Sequence, residues 1–174
     1  MDKRIVKSKE AIKKALIELS REKPYTEISI RDLCREAGIS RSTFYNNYKL
    51  FNDVIVEMSN DFMKKIEGKR LSREFLDFMI ANSDELKVLL ESGIFGKRFA
   101  FYLKELISED LQLDSKDGEK DLELNVLTLY HSYGLFGCLL NMIENANSPD
   151  YEYIHKVGTD ILSKIIEDFS GYVK

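Results

Sequence analysis

The chain has 174 residues, 44% hydrophobic and 32% charged, with a formal net charge of −4. That is enough to bury a sizeable core, either as one medium domain or as a small domain joined to a larger one. Nine glycines and two prolines are too few for a turn-rich sheet protein, so an all-α fold of about nine helices is expected.

Cys34 and Cys138 are isolated thiols, without C-x-x-C spacing or a histidine at metal-ligand distance along the chain. Neither a disulfide framework nor a metal site is expected, and a reducing cytoplasm is the natural setting. With two histidines, no glycine-rich phosphate loop and no nucleophile motif, the sequence reads as a binding protein without a cofactor, not an enzyme. The opening MDKRIVKSKEAIKK lacks the apolar stretch of a signal peptide. Residues 126 to 143 are apolar enough to raise a membrane question, but His131, Ser132 and Asn141 interrupt them, and a buried helix is expected, with no membrane partner.

Charge is unevenly spread. Residues 1 to 50 carry 12 Lys+Arg against 7 Asp+Glu, a net of +5, which leaves 14 against 23, a net of −9, for the remainder. A basic head that touches nucleic acid, joined to an acidic body that does not, has this pattern. Chance unevenness on a solvated surface is the plain alternative.

In chain order, a first helix is predicted from about Lys3 to Lys23, with Ile5, Ile12, Leu16 and Leu19 along one face and Ala11 and Ala15 beside them, ended by Pro24. A short second helix begins after Ser29, whose hydroxyl suits the amide of Asp32, and turns Ile30, Leu33, Cys34 and Ala37 inward. Gly38 is placed to close it in a left-handed conformation. Ser40 then caps a third helix, Arg41 to Tyr48. At 100° per residue Phe44 and Tyr48 share one face, opposite Ser42, Thr43 and Asn46, with Tyr45 and Asn47 at the flanks. Short helix, glycine turn and a helix anchored by aromatics form a helix-turn-helix, whose second helix enters the major groove of double-stranded DNA. Hydroxyls, amides and flat aromatics are the side chains that reach base edges and phosphates without burying unpaired charge.

A fourth helix, Asn52 to Glu67, buries Val54, Ile55, Met58 and Phe62, and further helices fit Ser72 to Asn82, Asp84 to Glu91 and Phe95 to Ser108. The acidic run SEDLQLDSKDGEKD reads as a loop. Two long helices follow, Leu122 to Asn145 and Pro149 to Val173. Both carry more apolar residues than one core can absorb, so a two-fold four-helix interface is expected, with Gly134, Gly137, Asn141, Ile154, Val157, Ile161 and Ile165 as candidate homodimer contacts. Gly134 and Gly137 serve equally well for helix packing within one subunit.

The stretch AIKKALIELSREKPYTEISIRDLCREAGISRSTFYNNYKLFNDVIVEM resembles the DNA-binding domain of the tetracycline-repressor (TetR) family of bacterial regulators, over roughly residues 8 to 58. The resemblance implies a three-helix DNA-binding domain at 1–50 and a helical effector-binding and dimerisation domain at 51–174. It implies DNA contacts by Ser29, Arg41, Ser42, Thr43, Tyr45 and Asn46, with Thr43 and Tyr45 on phosphates and Lys49 just beyond. Asn47, Ser40 and Tyr48 complete the candidate set, although Ser40 suits a cap better than a base reader and Tyr48 suits a core anchor. Relatives usually have His where this chain has Asn47, and a cation where it has Phe51, so affinity is expected to lean on Lys3, Arg4, Lys7 and Lys9. Cys34 fills a small apolar position.

The stretch YHSYGLFGCLLNMIENANSPDYEYI is similar to a Firmicutes subgroup, the dihydroxyacetone-kinase-type regulators, without the Trp that relatives carry near Met142. The wider family implies a small-molecule effector pocket, for which Phe75, Phe78, Met79, Phe95, Phe99, Tyr102, Tyr130, His131 and Phe136 are candidate linings, plain core being the competing reading. The expected function is a dimeric repressor of a palindromic operator, released by an effector. The alternative is a DNA-binding adaptor or activator whose body answers to a partner protein.

Overall fold

The structure, a computed structural model, describes residues 3–113, 118–145 and 148–169. These residues contain nine α-helices and no strand: α1 Lys3–Glu22, α2 Ile30–Glu36, α3 Arg41–Asn47, α4 Phe51–Ile66, α5 Arg73–Ala81, α6 Ser83–Glu91, α7 Gly96–Asp110, α8 Gly118–Glu144 and α9 Tyr151–Asp168. A 3-10 turn, Tyr25–Glu27, lies between α1 and α2. The all-α expectation holds. The chain divides into two compact units, Met1–Glu67 with Asp84–Phe95, and Gly68–Ser83 with Gly96–Lys174. The first extends past residue 50 to take in α4 and nearly all of α6.

In the first unit α1 buries Ile12, Ala15, Leu16 and Leu19, whereas Ile5, expected on that face, is 42% exposed in the opening turns. The helix stops at Glu22, just ahead of Pro24, which has no amide to continue it. Ser29 caps α2 reciprocally. Its Oγ accepts from the Asp32 amide at 3.2 Å, and its own amide donates to Asp32 Oδ2 at 3.1 Å, so orphan amides at the helix start are satisfied from both sides. Lys23 Nζ reaches the same carboxylate at 2.9 Å. Gly38, at φ +64°, ends α2 and lets the Ile39 amide donate back to the Cys34 carbonyl. Only a residue without Cβ adopts that turn at little cost.

The α4 helix buries Val54, Ile55, Met58, Phe62 and Ile66. Its start is held by Asp53, whose carboxylate accepts from the amides of Lys49 and Leu50 at 2.9 and 2.8 Å. Two ion-pair centres tie α1 to α4: Glu57 lies 2.5 Å from Lys9 and 2.7 Å from Lys13, and Asp61 lies 2.5 Å from Lys13. Burial alone would raise the Glu57 pKa. The hydrogen bonds and charges of Lys13 and Lys9 outweigh it and hold the carboxyl below its usual range.

In the second unit α8 packs against α5, α7 and α9. Leu124, Leu135, Leu139 and Met142 face inward, while Leu122, Val126, Leu129, Tyr130 and Tyr133 are exposed. Thr128 and Ser132, buried on the inward side, return their hydroxyl protons to the carbonyls of Leu124 and Leu129. By length and composition Lys120–Glu144 is apolar enough to cross a membrane, and 39% of its most apolar window is buried within the fold. Both histidines face aspartates of other helices: His131 Nε2 is 3.1 Å from Asp168 on α9, and His155 Nε2 is 2.8 Å from Asp77 on α5.

The acidic segment expected as a loop is shorter than its composition suggests. The α7 helix runs to Asp110 and α8 begins at Gly118, ahead of the expected Leu122. Acidic residues near a helix start face the positive end of its dipole, so Asp121 favours the helix it was expected to precede. Residues 114–117 of that segment, and 170–173 of the last predicted helix, lie outside the described residues.

Removing the α2 cap tests this account. Ser29→Ala is expected to lower the unfolding free energy by about 1 kcal/mol at neutral pH. Lys23, then the Ser29 hydroxyl and amide, hold the Asp32 carboxyl well below the ordinary aspartate range. A depressed folded-state pKa stabilises above the unfolded value of about 4 and ceases to do so as pH falls through the folded value. Thermal unfolding should therefore separate wild type from Ser29→Ala at pH 7, with the gap narrowing as the pH drops below about 4.

Candidate nucleic-acid interface

Seven residues, RSTFYNN, make α3. Its start is fixed by Ser40, whose Oγ accepts from the Thr43 amide at 3.0 Å and shares a proton with Thr43 Oγ1 at 2.9 Å. Its underside is fixed by Phe44 and Tyr48, 0% and 4% exposed, with ring centroids 5.8 Å apart. Lys9 on α1 lays its ammonium 5.0 Å from the centre of the Tyr48 ring. Burial, then the neighbouring Glu57 carboxylate, pushes the Tyr48 hydroxyl pKa far above the usual tyrosine value.

The opposite side of α3 is open. Arg41, Ser42, Tyr45 and Asn46 are exposed, and among the described residues none of them forms a hydrogen bond or ion pair within the chain. Tyr45 is 55% exposed and leans edge-on against Phe44 at 5.5 Å. Lys49 is exposed beside the end of the helix. One short helix thus presents a guanidinium, a hydroxyl, a phenol and an amide free to hydrogen-bond another molecule. The Arg41 charge also opposes, without cancelling, the burial that raises the Cys34 thiol pKa; Cys34 is buried packing, as expected.

Other candidates are differently employed. Tyr48 is part of the buried floor, because position 48 comes one turn after Phe44 and shares its inward direction. The Ser29 hydroxyl donates to Asp32 Oδ2 at 2.7 Å, so it serves the α2 cap. Thr43 is half-buried and engaged with Ser40. Asn47 turns toward α1, where its Nδ2 donates to Ser8 Oγ at 3.0 Å and to the Thr43 carbonyl at 2.7 Å. Lys9, expected to serve phosphates, is paired with Glu57. Phe51 packs edge-on against Tyr25 at 5.4 Å, and the Tyr25 hydroxyl donates to Asn52 Oδ1 at 3.2 Å. Arg31 and Arg35, one turn apart on α2, are further exposed cations, Arg35 lying 3.6 Å from Asp32 Oδ1. Their R-x-x-x-R spacing puts both on one helix face.

The residues expected to line an effector pocket come from α5, α7 and α8 of the second unit and, in Phe95, from the first. Phe99 gathers Tyr102 at 6.3 Å and Phe136 at 5.9 Å between α7 and α8, while Phe75 and Met79 are buried on α5 and Phe78 is half-buried there. Phe95 belongs to the first unit, edge-on to Phe62 at 5.7 Å. Tyr130 is 72% exposed. His131 is buried between the rings of Tyr130 and Phe169, each 5.2 Å away.

The residues expected at a dimer interface do converge. Gly134, Gly137, Asn141, Ile154, Val157 and Ile161 line one apolar groove of about 400 Å³ between α8 and α9, together with Cys138, Met142, Tyr153 and Gly158. Ile165 is the exception, buried at 1% exposure beneath α9. No other described part of the chain comes within 4 Å of the Cβ positions of Gly134 or Gly137. At Gly158 a Cβ would lie 2.6 Å from Met142 Sδ, so the bare backbone admits the thioether between α8 and α9.

No family model matches the chain. A stretch of 49 residues is 41% identical to an uncharacterized HTH-type transcriptional regulator, YxbF, of Bacillus subtilis (strain 168). The match covers 28% of this chain and 13% of that protein's length.

The two faces of α3 predict opposite responses. Phe44→Ala should cost about 3–5 kcal/mol and abolish the cooperative unfolding of the head. Tyr45→Ala should leave stability within about 0.5 kcal/mol of wild type. Chemical denaturation followed by circular dichroism measures both, and equal losses would refute the assignment of faces.

Proposed function

We propose that this protein is a DNA-binding transcriptional regulator of the tetracycline-repressor type. In this reading it is a homodimer and a repressor, holding a palindromic operator until a small molecule binds the body. The observation that carries the reading is the division of α3: an aromatic underside buried in the head, and an outward side where the side chains of Arg41, Ser42, Tyr45 and Asn46 have no hydrogen-bond or ion-pair partner among the described residues. Such a helix is stiff, polar and of a size to enter the major groove, where arginine and asparagine read guanine and adenine edges. The similarity to an HTH-type regulator over 49 residues supports it. Lys49, Arg31 and Arg35 supply exposed positive charge for phosphates.

Dimerisation follows from the same reading, because one such helix reads only a few base pairs, and two heads about 34 Å apart read an inverted repeat. The apolar groove of α8 and α9, continued by exposed Val126, Leu129 and Tyr133, supports a second copy as its cover. An effector acts by preferring one of two head spacings, since equal affinity for both shifts nothing.

Selection from random duplexes should return an inverted repeat whose binding weakens steeply with salt. Arg41→Ala and Asn46→Ala should lose about 1–3 kcal/mol of base discrimination while keeping most non-specific affinity. If both variants select the same sites as wild type, the outward side of α3 is not the reading face. Separately, sedimentation at micromolar concentration should give a dimer, which Val157→Asp converts toward monomer by placing an unpaired charge in the groove. A monomeric wild type would remove the dimer from this reading.

A further inference from the structure

We infer that Asn47 and Ser8 form a positioning lock which fixes the tilt of the recognition helix, so that Asn47 sets sequence discrimination without touching DNA. The inference rests on the DNA-binding reading above and assigns Asn47 a different task from the DNA contact expected of it.

The Asn47 amide nitrogen has two hydrogens and two acceptors, the Thr43 carbonyl at 2.7 Å and Ser8 Oγ at 3.0 Å. A carbonyl oxygen can only accept, so the NH2 end of the amide must face it, and the orientation of Asn47 follows from the chemistry. Ser8 in turn donates its proton to the Ile5 carbonyl at 3.0 Å. The three groups make one directed chain, from the Asn47 amide through the Ser8 hydroxyl to the α1 backbone. Because that hydroxyl is spent on Ile5, Ser8 is left to accept, which is what Asn47 requires. The Asn47 Oδ1 is buried with no hydrogen-bond partner among the described residues, so the amide is held in place by its donor end alone.

Position is what gives this lock its consequence. The first turn of α3 is fixed by Ser40, and its middle by the burial of Phe44. Burial of the Phe44 ring sets which face of α3 turns inward but leaves small rolls and tilts soft, because dispersion contacts are not directional. Hydrogen bonds are directional, and the Asn47 pair lies at the far end of the helix from the cap. Between these two polar fixings stand Arg41, Ser42, Tyr45 and Asn46. A roll of α3 would carry their tips off the base edges, where bidentate bonds tolerate little misplacement, while phosphates would still be met by flexible cations. Losing the lock therefore lowers discrimination more than total binding.

The test measures, for each protein, the ratio of affinities for the selected inverted repeat and for an unrelated duplex, over a range of salt. Ser8→Ala removes the acceptor from α1, introduces the best helix former there, and changes no atom of α3. Asn47→Leu removes the donors at nearly constant volume and charge. Each is expected to reduce the ratio by about tenfold, the worth of one or two directional hydrogen bonds, with the salt slope and non-specific affinity unchanged. The double variant should be no worse than either single one, and Ser8→Thr, which keeps a hydroxyl, should retain discrimination. Thermal unfolding confirms that each variant is folded at the assay temperature. Wild-type discrimination in both Ser8→Ala and Asn47→Leu overturns the lock and leaves the DNA-binding reading standing. Equal losses of specific and non-specific affinity also overturn it. A wild-type protein that prefers no duplex over any other overturns that reading, and the lock with it.

Discussion

The burial of Phe44 and Tyr48 is the contact on which the head depends. A seven-residue helix has almost no stability in water, since nucleation costs more than so few hydrogen bonds return. The α3 helix exists because two aromatic rings one turn apart are removed from solvent, each worth roughly 1.5–3 kcal/mol. The same burial decides which side chains are available for anything else. With positions 44 and 48 committed inward, the helical repeat sends 41, 42, 45 and 46 outward. Structure and proposed function therefore share one cause.

Much of this was legible in the sequence because it depends on local chemistry. Ser29, Ser40 and Gly38 are residue types whose capping and turn roles follow from their own atoms, and the structure places them as their chemistry requires. The apolar periodicity of α4 worked equally well, since one face of a single helix is a local property. What was not legible depends on partners distant along the chain. Nothing near Lys9 in sequence reveals that Glu57 neutralises it, and nothing near Asn47 reveals Ser8. The surroundings of the aromatic residues proposed for a pocket depend on distant partners in the same way. Helical spacing says that Phe95 and Tyr130 are aromatic and in helical company, not that one meets Phe62 and the other faces solvent. Most of the residues expected at an interface share one groove because they lie on two adjacent helices whose surplus of apolar side chains is itself a local observation.

The tally of charges in the first 50 residues also needs reinterpretation. Lys9 and Lys13 are held by Glu57 and Asp61 of α4, and Lys23 by Asp32. The positive surface that remains is narrower than the count suggests, and it includes Arg41, Lys49 and Arg31 around α2 and α3, with Arg35 exposed but 3.6 Å from Asp32. At Phe51 the ring packs on Tyr25 and secures the start of α4 against the turn that precedes α2.

The notch at Gly158 carries a consequence for how this chain can vary. Met142 occupies the space that any side chain at 158 would enter, and the conflict falls on the sulfur itself. The two positions therefore form a single volume shared between α8 and α9. An alanine at 158 obliges the Met142 thioether to swing aside or a shorter residue to take its place, and a bulkier residue at 142 is accommodated most easily while 158 stays bare. Among sequences that keep this helix pair in the same contact, the identities at 142 and 158 should change together, as the two halves of a fitted joint do.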